Sequence, residues 1–373
     1  MRYYEGMSRA AVEAGISLQF CMSTPHHILA SILLPAVTHA RGSYDNHGSV
    51  EQNMAPLAFS SLFFDAVGLF TSKDNAQTVR NTRGGTHWNP QLEVVISTLS
   101  MGPVGLGDGA RANGVVGPNS GTNATVILAS CDAHGTILKP SRPAAAIDAM
   151  FGRGWNPASC PTCPARSAWP PSGVVMQTHT SLSAVTTSRL LLVIAANQSY
   201  ELPASQLYPP RGSGDSNFYV RQFGASCANN TDAVSSGCLK PWNSATSTLS
   251  LRTGGIQPDR SGKGSFYPWS LLTVYACAPP TLPFEMVRRQ QPRRQQQWCI
   301  LGELEKYVAL SPVRFTKLDV AATASFCVQG LANGELVTVT AIDPEGQLRT
   351  ITVALDNWVD AQAAYTACGV FGG

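Results

Sequence analysis

Residues 18–43 read LQFCMSTPHHILASILLPAVTHARGS, with Tyr44, Asp45 and Asn46 directly after them. The stretch predicts a short apolar strand, a helix opened by Ser23, Thr24 and Pro25, and a second strand over 38–43. Pro25 suits the first helical position, where a backbone N–H has no partner to lose, and Ser23 or Thr24 supplies a capping oxygen. His26, Ile28, Leu29, Ile32 and Leu33 recur at helical spacing and predict one apolar face. The second strand carries Arg41 and Ser43 to its C-terminal end and places Asp45 just beyond. In a βαβ unit the ligand is handled at that end, so Asp45 is the first candidate catalytic residue.

Working outward, residues 4–14 predict an amphipathic helix stopped by Gly15. The opening MRYYEGMSRAAVEAG has no apolar core followed by a cleavage site, so it reads as the middle of a helix and not as a signal peptide. Downstream, 44–53 is a polar loop of the kind that carries function, and 54–67 is a helix too apolar for an open surface. A short strand over 68–71 ends in Ser72, Lys73, Asp74 and Asn75. A helix over 89–100 has Pro90 at its start, and 102–109 is a short strand closed by a glycine-rich turn. Four alternations of strand and helix predict a parallel α/β layer. Four such units are half of an eight-stranded barrel, which takes about 250 residues. Residues 1–151 are therefore expected to be four βα units, half of a (β/α)8 TIM-type barrel.

Residues 152–173 are rich in Pro, Gly, Ser and Cys and predict a linker. Beyond it the period changes to short alternating runs. Asn333-Gly334 and Pro344-Glu345-Gly346 are turn signals, the second between two strands as a hairpin. Residues 174–373 are expected to form an antiparallel β-sandwich interrupted by a disordered Arg/Gln-rich loop at 288–297.

Charged residues make up 13% of the chain against 44% hydrophobic, and the net charge is +3. Much of that charge sits in the 288–297 run, which reads as a solvated loop and not as a nucleic-acid contact. No apolar run is long enough to span a bilayer. Cys160 and Cys163 resemble a zinc half-site, but no second close pair completes four ligands, so neither a metal nor another cofactor is expected. Cys227 and Cys238 flank a polar loop that a disulfide would close. Asn123, Asn197 and Asn229 open glycosylation sequons, and with ten cysteines they favour a secreted or lumenal setting without fixing it.

Set in order, the residues form a longer pattern: Cys21-Met22 on one strand, Arg41-Gly42-Ser43 followed by an Asp, then Lys73-Asp74 at a strand end. Gly102-Pro103-Val104 leads to Gly107-Asp108, and Asp132-Ala-His-Gly135 to Ile137-Leu138-Lys139, Arg142-Pro143 and Asp148. Over residues 10–150 this resembles the C-terminal half of the barrel in the α-galactosidase and raffinose synthase family of glycoside hydrolases, which implies that 1–151 are the last four βα units; over the later strands the likeness is architectural. The resemblance implies a retaining mechanism with two carboxylates about 5 Å apart, one nucleophile and one acid/base. The family's acid/base Asp falls on Tyr44 without a gap, or on Asp45 with one inserted residue; Asp45 fits because the chemistry needs a proton donor. The nucleophile's Lys-x-Asp strand has no counterpart before Leu18.

The implied activity is hydrolysis or transfer of an α-linked sugar of galactoside type, incomplete in this chain, with a non-catalytic carbohydrate-binding or structural homologue as the alternative. A carbohydrate is the expected partner, besides self-association or a missing N-terminal half-barrel; nucleic acid and membrane are not expected. Arg41, Lys73, Asp74, Trp88 and Asp108 are the candidate substrate-binding residues. Each has a plainer reading: Arg41 as an ion pair, Lys73 and Asp74 as solvated loop charges, Asp108 as a turn former, Trp88 as a rim or core ring.

Overall fold

The computed structural model describes residues 2–21, 23–43, 50–78, 89–108, 121–151, 174–182, 185–194, 200–207, 217–243, 248–253, 257–258, 265–266, 268–275, 298–320, 323–359 and 363–372. The predicted linker and the Arg/Gln-rich loop lie outside them.

The first part runs α1 (Arg2–Glu13), β1 (Leu18–Phe20), α2 (Pro25–Ser31), β2 (Val37–Arg41), α3 (Val50–Ala66), β3 (Phe70–Ser72), α4 (Pro90–Leu99) and α5 (Ala124–Leu128). β1, β2 and β3 pair in that order and in parallel. Helix α2 starts as its sequence dictates, with Pro25 at the first position and Thr24 as cap, the Thr24 N–H donating to His27 Nδ1 at 3.3 Å. Its predicted apolar face is only partly used: Ile28 is buried, whereas Leu29, Ile32 and Leu33 are exposed. Ile28, Leu34, Val37, Ala40, Phe64 and Leu69 form the small core between the helices and this sheet.

The half-barrel expectation is not met. Only three strands pair in parallel, each of three to five residues, and no closed barrel forms among the described residues. The expected fourth strand contributes one parallel bridge, Ala76 to Leu106. Its sequence gives the reason: Gly102-Pro103-Val104-Gly105 lacks one backbone donor at Pro103 and is weakened by two glycines, so it cannot sustain a ladder. The chain then leaves the parallel layer through β4 (Ala145–Ala146) and α6 (Asp148–Phe151), and β4 pairs antiparallel.

Antiparallel pairing dominates from there on. The strands are β5 (Val174–Leu182), β6 (Val185–Ile194), β7 (Tyr200–Leu202), β8 (Asn217–Gln222), β9 (Lys240–Asn243), β10 (Leu249–Leu251), β11 (Gln257–Pro258), β12 (Ser265–Phe266) and β13 (Trp269–Tyr275). They continue as β14 (Cys299–Gly302), β15 (Phe315–Val320), β16 (Ala324–Gly330), β17 (Leu336–Ile342), β18 (Leu348–Ala354), β19 (Asn357–Val359) and β20 (Ala364–Phe371). A six-stranded sheet has the order β4-β5-β6-β13-β8-β9; β14-β17-β18 and β15-β16-β20-β19 are separate sheets, and β7/β10 and β11/β12 are two-stranded. The hairpin expected at Pro344-Glu345-Gly346 joins β17 to β18, with Gly346 at φ +86°, a conformation glycine adopts without penalty.

Among the described residues, Cys227–Cys238 closes the polar loop before β9, Cys327–Cys368 links β16 to β20, and Cys299 of β14 is disulfide-bonded as well. Among the described residues, Cys21 is an exposed free thiol and Cys131 a buried one. The segment 303–311 joins the antiparallel part to the first. Lys306 Nζ donates to Leu128 O and Cys131 O (2.7 and 2.6 Å), Tyr307 N–H to Ala129 O (2.8 Å), and Ser311 Oγ to Lys139 O (2.7 Å).

His179 on β5 is buried. Burial, together with the positive charges of Arg142 and Arg189, pulls its imidazole from 6.5 down to about 4. The unfolded chain takes up this proton near 6.5 and the folded chain only near 4, so the stabilisation is complete above 6.5 and is lost as pH falls toward 4. Melting temperature measured across that window is expected to fall on acidification, and more shallowly in His179→Gln.

Candidate functional site

The end of β2 lies beside the end of β3, and β3 lies beside the start of the 102–107 segment. Gly42 N–H donates to Ser72 O at 2.9 Å, and Gly102 N–H to Thr71 O at 2.8 Å. Both glycines allow close approach. A Cβ on Gly42 would stand 2.7 Å from Ser60 Oγ of α3, and one on Gly102 would stand 2.6 Å from Thr71 O. The side chains beyond these strand ends are polar and tied crosswise. Arg41 Nη1 pairs with Asp74 Oδ1 at 3.3 Å, and the Asp74 N–H donates to Ser43 Oγ at 2.8 Å. Gln19 Nε2 donates to Ser72 Oγ at 2.8 Å, drawing β1 into the same edge.

Lys73 points the other way, into the protein, where it forms an ion pair with Glu93 of α4; both side chains are almost wholly buried. Lys73 Nζ also donates to Asn75 O at 3.0 Å. Asp108 follows its plainer reading: its carboxylate accepts from Thr78 N–H (2.7 Å) and Thr78 Oγ1 (2.6 Å), and Thr78 Oγ1 in turn accepts from Asn123 N–H (2.7 Å). Asp108 thus staples two loops together. Lys139 lies beneath this edge, donating to Ser97 O (3.0 Å) and Gly102 O (2.7 Å), and burial lowers it to about 7.

Of the residues predicted from sequence, Arg41 and Asp74 come together at one edge, Lys73 sits behind them, and Asp108 lies at the next strand end. Asp45 and Trp88 lie outside the described residues. Glu93 was missed, although it is the sole charge in the otherwise apolar and neutral helix PQLEVVISTL. A lone acid on such a helix signals a buried cationic partner.

A cavity of about 390 Å³ opens beside this edge, between the start of α2, the end of β2 and α3. Ser23, Thr24, Arg41, Ser43 and Ser60 are the polar residues of its lining besides Gly42, and Ile28, Phe63 and Phe64 are among the apolar ones. Its size lies within the range of small-molecule sites. A second cavity of about 810 Å³ lies over β8, β9 and β10, with Phe223, Lys240, Trp242 and Arg252 in its wall, and none of the predicted site residues lines it. No grouping of three or more His, Cys, Asp or Glu side chains that would hold a metal occurs among the described residues. No helix among them is long and apolar enough to cross a membrane. Neither a family model nor a curated protein matches the sequence.

Proposed function

We propose that this chain binds a carbohydrate in the cavity at the end of β2, as a non-catalytic relative of glycoside hydrolases that act on α-linked sugars. The observation that carries this reading is the cavity's lining. It combines Arg41 and the hydroxyl residues Ser23, Thr24, Ser43 and Ser60 with the apolar side chains of Ile28 and Phe63. Sugars present this duality, with hydroxyl edges that need directional partners and C–H faces that pack on apolar or aromatic walls.

Binding is favoured over turnover by the state of the described carboxylates near these strand ends. Retaining hydrolysis needs two carboxyl groups about 5 Å apart, facing the sugar. Asp74 is paired with Arg41, Glu93 with buried Lys73, and Asp108 is held by Thr78. These three stabilise the strand ends.

Titration calorimetry against galactose, glucose and an α-galactoside tests the proposal. Saturable binding of at least one sugar is expected, with no release of product from an activated α-galactoside. Ser23→Trp puts an indole in the cavity lining and leaves the Arg41–Asp74 and Lys73–Glu93 pairs in place, so binding is expected to fall by tenfold or more, with the unfolding midpoint moved only by the lost Ser23 Oγ bond to Phe20 O. Absence of saturable binding to any of the three, or equal binding by Ser23→Trp, would count against the site. Turnover abolished by Asp45→Asn would replace the binding reading with the catalytic one.

A further inference from the structure

We propose that Asn229 is an N-glycosylation site, occupied in the folded, disulfide-bonded chain. This inference stands apart from the sugar-binding cavity. The sequon Asn229-Asn230-Thr231 lies inside the loop closed by Cys227–Cys238, and Asn229 is exposed at a turn.

The backbone around it is held by its neighbours and leaves the acceptor residue at the surface. Asn230 takes the left-handed conformation (φ +58°), which asparagine tolerates better than most residues. Its N–H donates to Leu348 O at 2.8 Å, and its Oδ1 accepts from Arg349 Nη1 at 2.8 Å. Thr231 Oγ1 donates to Ala228 O, and Ala233 N–H donates to Gly346 O at 3.0 Å. The loop therefore rests on the turn between β17 and β18 through Asn230, Ala233 and backbone groups. A glycan on Asn229 would displace none of these bonds.

The other described sequon is differently placed. Asn123 is the N-cap of α5, its Oδ1 accepting from Thr125 N–H at 3.1 Å, and its N–H donates to Thr78 Oγ1 at 2.7 Å. Modification there competes with a helix cap; at Asn229 it does not. Asn197 lies outside the described residues.

The disulfides supply an independent second observation. Cys227–Cys238 and Cys327–Cys368 form and persist in oxidising compartments. Sequons in surface loops are glycosylated in proteins of that secretory route. The donor class is a polyprenyl-diphosphate-linked oligosaccharide. Asn229 Nδ2 forms a bond to the anomeric carbon, the bond from that carbon to the diphosphate oxygen breaks, and the lipid diphosphate leaves with the electron pair. The proton lost from Nδ2 passes to a base of the transferase.

The full chain, expressed behind a cleavable secretory leader in a eukaryotic cell, tests this. Lumenal and secreted fractions are treated with peptide N-glycosidase in ¹⁸O-water and mapped by mass spectrometry. Asn229 is expected to be recovered as ¹⁸O-labelled aspartate. One glycan's mobility shift is expected to disappear in Asn229→Gln and Thr231→Ala and to persist in Thr231→Ser. Recovery of Asn229 unlabelled from material with its disulfides intact would overturn the proposal, as would label confined to Asn123 or Asn197.

Discussion

Lys73→Met, with Glu93 left in place, is expected to lower the unfolding free energy by about 3–5 kcal/mol. The size follows from burial. Both side chains of this pair are withdrawn from water between the end of β3 and α4, and the lone acid left by the substitution would have to remain charged without a partner or take up a proton. Glu93→Leu is expected to cost a similar amount for the reciprocal reason. The double variant Lys73→Met/Glu93→Leu removes both charges and restores apolar volume, so it should recover most of the loss, because well-packed hydrophobic replacements of buried pairs are often neutral or stabilising. Denaturant midpoints of the four proteins give the coupling directly. Single variants costing under about 1 kcal/mol would mean that the pair behaves as an exposed one.

The second large effect is expected at Arg314, which is almost wholly buried and bound on two sides. Its Nε donates to Glu303 Oε1 at 3.0 Å, its Nη1 to Glu335 Oε2 and Gln329 O, both at 3.0 Å, and its Nη2 to Glu335 Oε1. Burial alone would raise Glu335, but the hydrogen bond and charge of Arg314 outweigh it and hold the carboxyl below its ordinary value. At Glu303 burial wins over Arg314, and the carboxyl is raised. Arg314→Leu leaves two acids facing each other in the interior, and a loss of about 3–5 kcal/mol near neutral pH is expected. The Glu335 contribution is present above the unfolded carboxylate value and disappears as pH falls through its lowered folded value. The gap between wild type and Arg314→Leu should therefore narrow on acidification. A gap that stays constant with pH would show that the variant fails through lost packing and not through stranded charge. Glu335 also accepts from Ala133 N–H at 3.1 Å, so the variant should loosen the junction between the two parts as well.

The sequence spoke clearly where local chemistry decides. Pro25 behind a Thr cap marks the start of α2, Pro90 behind Asn89 marks α4, and the strands expected from Leu18, over 38–43 and over 68–71 overlap β1, β2 and β3, of which β2 and β3 end in the polar Arg41 and Ser72. Cys227 and Cys238 pair as their spacing suggested. What failed was extrapolation from local pattern to global closure. Strand-and-helix alternation says nothing about how many partners a strand will find, and the 102–107 segment with its proline and glycines yields a bridge where a fourth strand was expected.

Burial direction was equally hidden. Leu29, Ile32 and Leu33 have the same helical period as Ile28 but remain exposed. Lys73 and Asp74 are neighbours in sequence that face opposite ways, one toward Glu93 inside and one toward Arg41 at the edge. Glu93 could be recognised only as a lone acid on an apolar helix, and its partner only from the fold.

A crystal structure of the chain soaked with the sugar that binds most tightly in calorimetry tests the central claim most directly. A ring contacting Arg41 and Ser43, with a C–H face against Phe63, is the predicted result. A sugar seated over Trp242 in the larger cavity, with the space beside β2 holding only water, would contradict it.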